Sequence, residues 1–232
     1  MTAVVADPAL IQDRIQQVRA EVPEQVRIMA VTKTVSAAHV RVAYAAGIRD
    51  FGENRVQEAI AKQAQLVDLT DITWHLIGHL QSNKARKAVE HFNWIHSVDS
   101  LKIAHRLNQI AVDLGKTLTV CLQVKLRSDP DKFGWSVAGL RAALPALKQC
   151  LNLHFAGLMV IPPLNCDATA TGKIFDEARE ILDNLKTLTT AHNWPVTSFC
   201  ELSMGMSGDY PLAIAAGSTI IRLGTHLFGS RS

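Results

Sequence analysis

Long apolar runs and a targeting segment are both missing from this 232-residue sequence. No stretch approaches the roughly 18 consecutive apolar residues that a membrane span needs, although the mean hydropathy is +0.10. The first residues, MTAVVADPALIQDR, have no basic segment ahead of an apolar block, which excludes a secretory signal peptide. We therefore expect a cytoplasmic protein with no membrane partner.

The sequence also has no strong excess of one charge and no clustered cysteines. Lysine and arginine number 24 against 21 aspartates and glutamates, so the formal net charge is only +3. No long basic run is present, and a nucleic-acid-binding surface is not expected. The four cysteines lie far apart without a C-x-x-C pair. This spacing predicts reduced thiols and argues against a disulfide framework or a cysteine metal site.

Common catalytic signatures are absent as well. The sequence contains no G-x-G-x-x-G, P-loop or H-E-x-x-H motif. His75 and His79 share a strand parity, but no third ligand accompanies them. We interpret them as structural or rim histidines and predict no metal site.

What the sequence does contain is a regular alternation of short β-branched runs and helix-period segments. Apolar residues make up 48% of the chain, and the strand candidates are nearly continuous apolar runs, as in a parallel sheet covered on both faces. Eight such strands, preceded by an extra N-terminal helix at 8–22, favour an α/β fold. We predict a single-domain (β/α)8 TIM barrel over residues 1–232, with an open doubly wound sheet as the alternative. The strand candidates lie at 27–33, 47–52, 72–78, 94–98, 117–124, 153–160, 196–202 and 218–224.

Capping residues mark several helix starts. Ser36, Asn54, Ser82, Ser100 and Ser136 each precede a helical pattern. Side chains of this type accept hydrogen bonds from the first N–H groups of a helix. We therefore predict an N-cap at each of these positions.

Lys33 is the first candidate for chemistry. In IMAVTK the two-residue period puts Met29, Val31 and Lys33 on one face of a strand. At the mouth of a barrel core, desolvation disfavours the ammonium and lowers the lysine pKa, and the amine can then form a Schiff base. A strand-end lysine that extends to water is the simpler interpretation and, from this feature alone, the favoured one.

Two glycine-containing loops follow the last two strands. SMGMSG at 203–208 precedes a helix, and IRLGTHLFG at 221–229 offers Gly224 and the Thr225 hydroxyl. In many barrels these loops bind phosphate through converging backbone N–H groups. Ordinary glycine turns are the alternative, but two of them together with Lys33 favour a phosphorylated ligand.

Arg222 is a candidate for a charge inside the barrel. It shares a strand face with Ile220 and Gly224, so it points inward if they do. An unpaired charge there is very costly, which leaves two interpretations. One is a structural ion pair with Glu201 as the partner, and the other is a guanidinium aimed at a ligand atom.

Five segments are specific enough to compare with known families: AVTKTVS at 30–36, FGENRVQE at 51–58, WHLIGHLQSNK at 74–84, AGLMVI at 156–161, and LSMGMSGDYPLAIAAGSTIIRLGTHLFGSR at 202–231. Together, and in this order, they resemble the pyridoxal phosphate homeostasis protein family. Members of that family are single-domain barrels that bind pyridoxal 5'-phosphate (PLP) and are related to the N-terminal domain of alanine racemase. The resemblance covers nearly the whole chain and implies a fold-type III PLP-binding barrel.

The resemblance implies PLP as the cofactor and assigns roles to particular residues. It implies that Lys33 carries the cofactor aldehyde as a covalent imine and that Arg222 faces the pyridine nitrogen. Asn54 is expected at the rim near the ring, and Met204 is expected to pack near the ring. The implied phosphate contacts are Ser207, Gly208, Gly224 and Thr225.

One position departs from the pattern of the family. The fifth strand ends in Gln123-Val124-Lys125, where relatives commonly have an asparagine in place of the lysine. No rim role is therefore carried over to Lys125.

The expected cofactor environment also bears on turnover. An arginine that faces the pyridine nitrogen disfavours protonation of that nitrogen, so the ring is a poorer electron sink. Related two-domain racemases complete their site with a second domain and a tyrosine of the partner subunit. We expect this chain to lack that domain, and its two tyrosines, Tyr44 and Tyr210, are not obvious substitutes.

We therefore expect a monomeric PLP-binding protein, not an enzyme, with no catalytic residues assigned. It would act in PLP (vitamin B6) and amino- and keto-acid homeostasis, with PLP-dependent apoenzymes as recipients of the cofactor. A PLP-dependent amino-acid racemase or decarboxylase is the alternative. A barrel that serves as a regulatory interaction partner is a third hypothesis.

Overall fold

Eight parallel strands close into a barrel in the computed structural model, which describes residues 7–129, 133–191, 193–194 and 197–229. Each strand pairs with the next in chain order, and the last strand pairs with the first. The strands are β1 (Arg27–Val31), β2 (Asp50–Glu53), β3 (Thr73–Leu76), β4 (Trp94–Val98), β5 (Leu118–Val124), β6 (Leu153–Val160), β7 (Thr197–Met206) and β8 (Ile220–Leu223).

Helices connect the strands and cover the outside of the barrel. In the helix between β4 and β5, Ile103, Leu107 and Ile110 recur at helical spacing and are buried on one face. None of the helices in the described residues has the length and apolar character that crossing a bilayer requires. The helices are α1 (Pro8–Glu21), α2 (Ala37–Ala45), α3 (Val56–Gln63), α4 (Ala85–His91), α5 (Leu101–Asp113), α6 (Val137–Leu147), α7 (Ala168–Ala191), α8 (Tyr210–Ala215) and α9 (Thr225–Phe228).

The predicted barrel and the extra N-terminal helix α1 are confirmed. Pairing of β8 with β1 closes the sheet and excludes the open doubly wound alternative. Helix α9, a single turn after β8, is an element that the sequence did not predict. Ser230 and Arg231, at the end of the last family-like segment, lie outside the described residues.

Two of the five predicted N-caps are wrong. Helix α3 begins at Val56 with Arg55 as its N-cap, so Asn54 lies ahead of the helix. Ser82 is the first residue of a short 3-10 helix whose N-cap is Gln81. The other three hydroxyls accept a hydrogen bond from a backbone N–H as predicted: Ser36, Ser100 and Ser136.

The four cysteines all lie within the described residues and form no disulfide. Cys121 and Cys150 are buried, and Cys200 is exposed. Burial raises the pKa of the Cys121 thiol, which keeps it protonated at neutral pH. The core and near-surface positions of these thiols agree with the prediction from their spacing, and their reduced state stays a prediction.

Candidate functional site

A cavity of about 310 Å³ lies at the carboxyl-terminal edge of the barrel, where barrel enzymes and binding proteins place their sites. Its volume is at the lower end of the range for small-molecule sites. The residues around it come from both ends of the chain, because β1 lies beside β8 in the closed sheet. The cavity is lined by Val31, Lys33, Asn54, Ile77, Ile161, Met206, Ser207, Gly208, Arg222, Gly224 and Thr225.

Lys33 lies at a sharp turn just beyond β1. The Val35 amide donates to the Thr32 carbonyl at 2.9 Å, which closes the turn. Thr34 has a φ of 64°, the left-handed conformation that the third residue of a type II turn requires. That conformation costs a non-glycine residue on the order of 1–3 kcal/mol. The turn directs the half-buried Lys33 side chain into the cavity.

A buried ion pair supports this turn from the side of the helices. Thr32 Oγ1 donates to Glu53 Oε1 at 2.6 Å, and Lys62 Nζ donates to the Thr32 carbonyl at 2.6 Å. Lys62 also pairs with Glu53. Glu53 and Thr32 are completely buried and Lys62 is 8% exposed. The cluster links β1, β2 and α3 directly beside Lys33.

Asn54 follows β2 and lines the same cavity. Its backbone packs against Gly78, where a Cβ atom would come within 2.2 Å of the Asn54 carbonyl oxygen. Glycine at position 78 is therefore a steric requirement of the Asn54 backbone position. The predicted capping role of Asn54 is wrong, but the residue lines the cavity.

The loops after β7 and β8 are joined by one hydroxyl. Ser207 Oγ accepts hydrogen bonds from the Gly224 amide at 3.3 Å and the His226 amide at 3.2 Å. Gly208 follows Ser207 on the exposed rim, and a Cβ atom added there would meet nothing within 4 Å. The protein itself therefore does not require glycine at position 208. Ser207 and Gly208 from one loop and Gly224 and Thr225 from the other line the cavity together.

Arg222 lies inside the barrel below these loops. Its Nη1 donates to the Ser203 carbonyl at 2.5 Å and to Ser203 Oγ at 2.9 Å, and its Nη2 donates to the Val160 carbonyl at 3.0 Å. Glu201, the expected ion-pair partner, instead binds Arg27 at 2.6 Å. Burial lowers the pKa of Arg222 to about 10, so the guanidinium remains protonated at neutral pH.

The structure brings seven of the eight expected site residues to this cavity and leaves one out. Met204 is completely buried in the apolar core, and Met206 lines the cavity in its place. The residues that come together are Lys33, Asn54, Ser207, Gly208, Arg222, Gly224 and Thr225.

Three residues to which we assigned no ligand role, Lys125, His75 and His79, do not line this cavity. Lys125 Nζ donates to the Asp129 carbonyl at 3.2 Å and does not line the cavity. His75 and His79 have different partners, and His79 Nδ1 bonds to Asp99 at 2.9 Å. Among the described residues no cluster of three or more potential metal ligands occurs.

Sequence reasoning missed the Glu53–Lys62 pair, although a signal for it exists. The buried positions of α3 recur every three residues at Val56, Ala59 and Lys62. A lysine on the apolar face of a helix needs a buried partner. The partner, Glu53, lies in the FGEN segment that we used only for the family resemblance.

Comparison with known proteins decides the family. Residues 6–232 match the family model described as alanine racemase, N-terminal domain. A pyridoxal phosphate homeostasis protein from Synechocystis is 51% identical over 216 residues, which cover 93% of this chain and 96% of that protein. The chain belongs to the pyridoxal phosphate homeostasis protein family. The Pseudomonas aeruginosa member is 46% identical to it over 209 residues, 90% of this chain and 86% of that one.

Solved structures agree with membership of the pyridoxal phosphate homeostasis protein family. PipY of Synechococcus elongatus without PLP is 55% identical with a TM-score of 0.90, and covers 94% of this chain and 100% of its own. The same protein with PLP bound is 54% identical with a TM-score of 0.88, at the same coverage. An alanine racemase from Bartonella henselae, 16% identical with a TM-score of 0.73, covers 99% of this chain and 61% of its own, and shares the fold.

Proposed function

We propose that the protein binds PLP in the cavity at the carboxyl-terminal edge of the barrel and acts in PLP and amino- and keto-acid homeostasis. The observation that carries the proposal is the convergence of an amine, a buried guanidinium and two N–H-rich loops on one cavity. A family member, PipY, has been solved with PLP bound. The three kinds of group match the aldehyde, the pyridine ring and the phosphate of this cofactor.

Lys33 is the residue proposed to hold the cofactor covalently. Its amine would condense with the cofactor aldehyde to form an imine, with release of one water molecule. The turn that carries Lys33 is held by Thr34 in the left-handed region and by the buried pair behind Thr32. The amine is therefore presented by a rigid strand end.

The phosphate is proposed to lie between the loops after β7 and β8. Ser207 Oγ already accepts from the Gly224 and His226 amides, and phosphate oxygens are stronger acceptors for the same donors. The open space at Gly208 allows a ligand to approach the backbone closely. Gly208, Gly224 and Thr225 complete this end of the proposed site.

Slow or absent turnover is proposed from the groups around the cavity. Arg222 disfavours protonation of a pyridine nitrogen that faces it, and so weakens the ring as an electron sink. Both tyrosines bond to carboxylates elsewhere, Tyr44 to Asp71 at 2.5 Å and Tyr210 to Glu21 at 2.7 Å. Burial raises the pKa of Tyr210 to about 12, which makes it a poor proton acceptor at neutral pH.

The wider setting of the protein is proposed from the same features. Four thiols without disulfides suit a reducing cytoplasm. We propose a monomer that releases PLP to PLP-dependent apoenzymes. Sedimentation of the holoprotein as a single species of twice the chain mass would contradict the monomer.

A titration with PLP tests the proposed function. The wild type should develop imine absorbance, and Lys33→Ala should lose it. Lys125→Ala is the matched control, because Lys125 also follows a strand end but does not line the cavity, and it should behave as the wild type. Retention of the absorbance in Lys33→Ala would contradict the proposed imine. Rapid exchange of amino-acid α-protons for deuterium, lost in Lys33→Ala, would favour the racemase alternative.

A further inference from the structure

Five polar side chains form a continuous hydrogen-bond network inside the barrel, which we call the interior network: Asp50, His75, His96, Ser203 and Arg222. Asp50 Oδ1 lies 2.9 Å from His75 Nε2, and His75 Nδ1 lies 2.9 Å from His96 Nε2. His96 Nδ1 lies 2.9 Å from Ser203 Oγ, which in turn accepts from Arg222 at 2.9 Å.

The interior network crosses the barrel from one end to the other. His96 is on β4 and Ser203 is on β7, and these strands are not neighbours in the sheet. Their hydrogen bond therefore passes through the interior. Asp50 lines a cavity of about 470 Å³ at the amino-terminal ends of β1 and β2, whereas Arg222 lines the proposed PLP site.

The two ends of the network restrict where its protons are. A guanidinium can only donate, so Ser203 Oγ accepts from Arg222, and its own proton remains available for His96 Nδ1. A carboxylate can only accept, so His75 Nε2 donates to Asp50 and leaves His75 Nδ1 to accept from His96 Nε2. With both rings neutral, the Asp50 end alone fixes this series of donors and acceptors, and the Arg222 end is compatible with it. His75 and His96 each carry their proton on Nε2.

The charged groups around the histidines are consistent with two neutral rings. Burial lowers the pKa of His96 well below its ordinary value, and His75, Arg222 and Arg27 lower it further. Burial also lowers the pKa of His75, against the opposing effect of Asp50. The charge of Arg27 lowers the pKa of His75 as well, whereas the charge of Glu201 on β7 raises it. The positive charge of the network stays on Arg222 and the negative charge stays on Asp50.

We propose that Ser203, His96 and His75 are positioning residues that hold the Arg222 guanidinium in the orientation in which it would face the pyridine nitrogen of the cofactor. The proposal rests on the proposed function, because Arg222 matters to the ring only if PLP binds there. Ser203 supplies two of the three acceptors of Arg222, its carbonyl and its hydroxyl. His96 fixes the hydroxyl so that its lone pair faces Arg222. His75 fixes His96 in turn, with Asp50 as the anchor.

Nitrogen NMR of isotope-labelled histidines tests the proton assignment in the cofactor-free protein. His75 and His96 should both show a protonated Nε2 and an unprotonated Nδ1. Neither should titrate between about pH 8 and about pH 6, a range that brackets the ordinary histidine pKa. A protonated Nδ1 on His96, or titration of either ring in this range, would overturn the assignment.

Substitution of Ser203 tests the positioning role. In Ser203→Ala the Nδ1 resonance of His96 should move, because its donor is gone, and PLP should bind about tenfold more weakly. The pH dependence of the imine absorbance should also change, since Arg222 has lost an acceptor. His105→Gln is the control, because His105 lies exposed on α5, and it should leave all three measurements unchanged.

The NMR experiment and the Ser203→Ala experiment together distinguish failure of the positioning role from failure of PLP binding. The NMR experiment needs no cofactor, so a wild type that binds no PLP contradicts the proposed function alone. A Ser203→Ala variant that binds PLP as tightly as the wild type, with the same pH dependence of absorbance, overturns the positioning role.

Discussion

Gly208 is a glycine that the fold does not require but that a bound ligand would require. The rim position has open space around its missing side chain, so no neighbouring protein atom explains the glycine. A phosphate held by backbone N–H groups would explain it, because the ligand then occupies the space that a Cβ atom would take.

Gly208→Ala should therefore weaken PLP binding without destabilising the protein. The expected change in the free energy of unfolding is zero or a gain of about 0.4–1 kcal/mol, since alanine restricts the unfolded chain. PLP affinity should fall, while pyridoxal, which lacks the phosphate, should bind as before. Gly172→Ala on α7 is the matched control, because its surroundings are also open, and it should leave PLP affinity unchanged. Equal PLP affinity in Gly208→Ala and the wild type would contradict the proposed phosphate position.

Met204 shows how a backbone irregularity changes which side chains of a strand face the cavity. Met204 was expected near the ring, but Gly205 has a φ of 92° and the β7–β8 register shifts between Ser203 and Met206. The irregularity interrupts the alternation of side chains. Ser203 and Met206 therefore both face the interior, and Met204 packs into the core. A sequence pattern cannot reveal this irregularity before the strand is paired.

At the scale of elements, the Glu53–Lys62 pair joins β1, β2 and α3. Breaking a buried pair by removing one partner costs about 3–5 kcal/mol, whereas replacing both partners by apolar side chains is often neutral. The intact pair therefore adds little net stability, whereas the loss of one member is strongly destabilising.

Lys62→Met should lower the free energy of unfolding by about 3–5 kcal/mol, because it leaves the Glu53 carboxylate buried without its cation. The double variant Lys62→Met with Glu53→Leu should recover most of that loss. Urea unfolding of the two single variants and the double variant measures the coupling. Additive losses in the double variant would show that the two side chains do not act as a pair.

Much of the element order could be predicted from the sequence because buried parallel strands are continuous apolar runs. The predicted bounds of β4 and β6 coincide with the observed ones. Strand β7 was predicted to end at residue 202 but continues to Met206. The serine and the glycine in its last four residues, SMGM, are typical of a loop. The interior network could not be predicted, since its link from His96 on β4 to Ser203 on β7 joins strands that are neither consecutive in the chain nor paired in the sheet.

At the scale of the whole molecule, the barrel interior contains two histidines that remain neutral. Their pKa values lie below the ordinary value of 6.5 because both rings are buried. An unfolded chain exposes them and binds protons more readily below that pH. The unfolded state is then favoured as the pH falls.

Stability should therefore decrease between about pH 7 and about pH 5.5, by up to about 1.4 kcal/mol per pH unit for each histidine. Urea unfolding across this range measures the slope. His96→Gln should reduce the slope, and His105→Gln, an exposed control, should keep it. If residues 1–232 form a single domain, as we propose, each curve should show one transition at the same midpoint by fluorescence and circular dichroism. Constant stability on acidification would contradict the neutral buried pair.

The central claim is that Lys33 holds PLP at the carboxyl-terminal edge of the barrel. Borohydride reduction of the PLP-loaded protein, followed by peptide mapping, tests it most directly. We predict that the label lies on the peptide that contains Lys33 and on that lysine. A label on another lysine instead, or no label on a protein saturated with PLP, would contradict the claim.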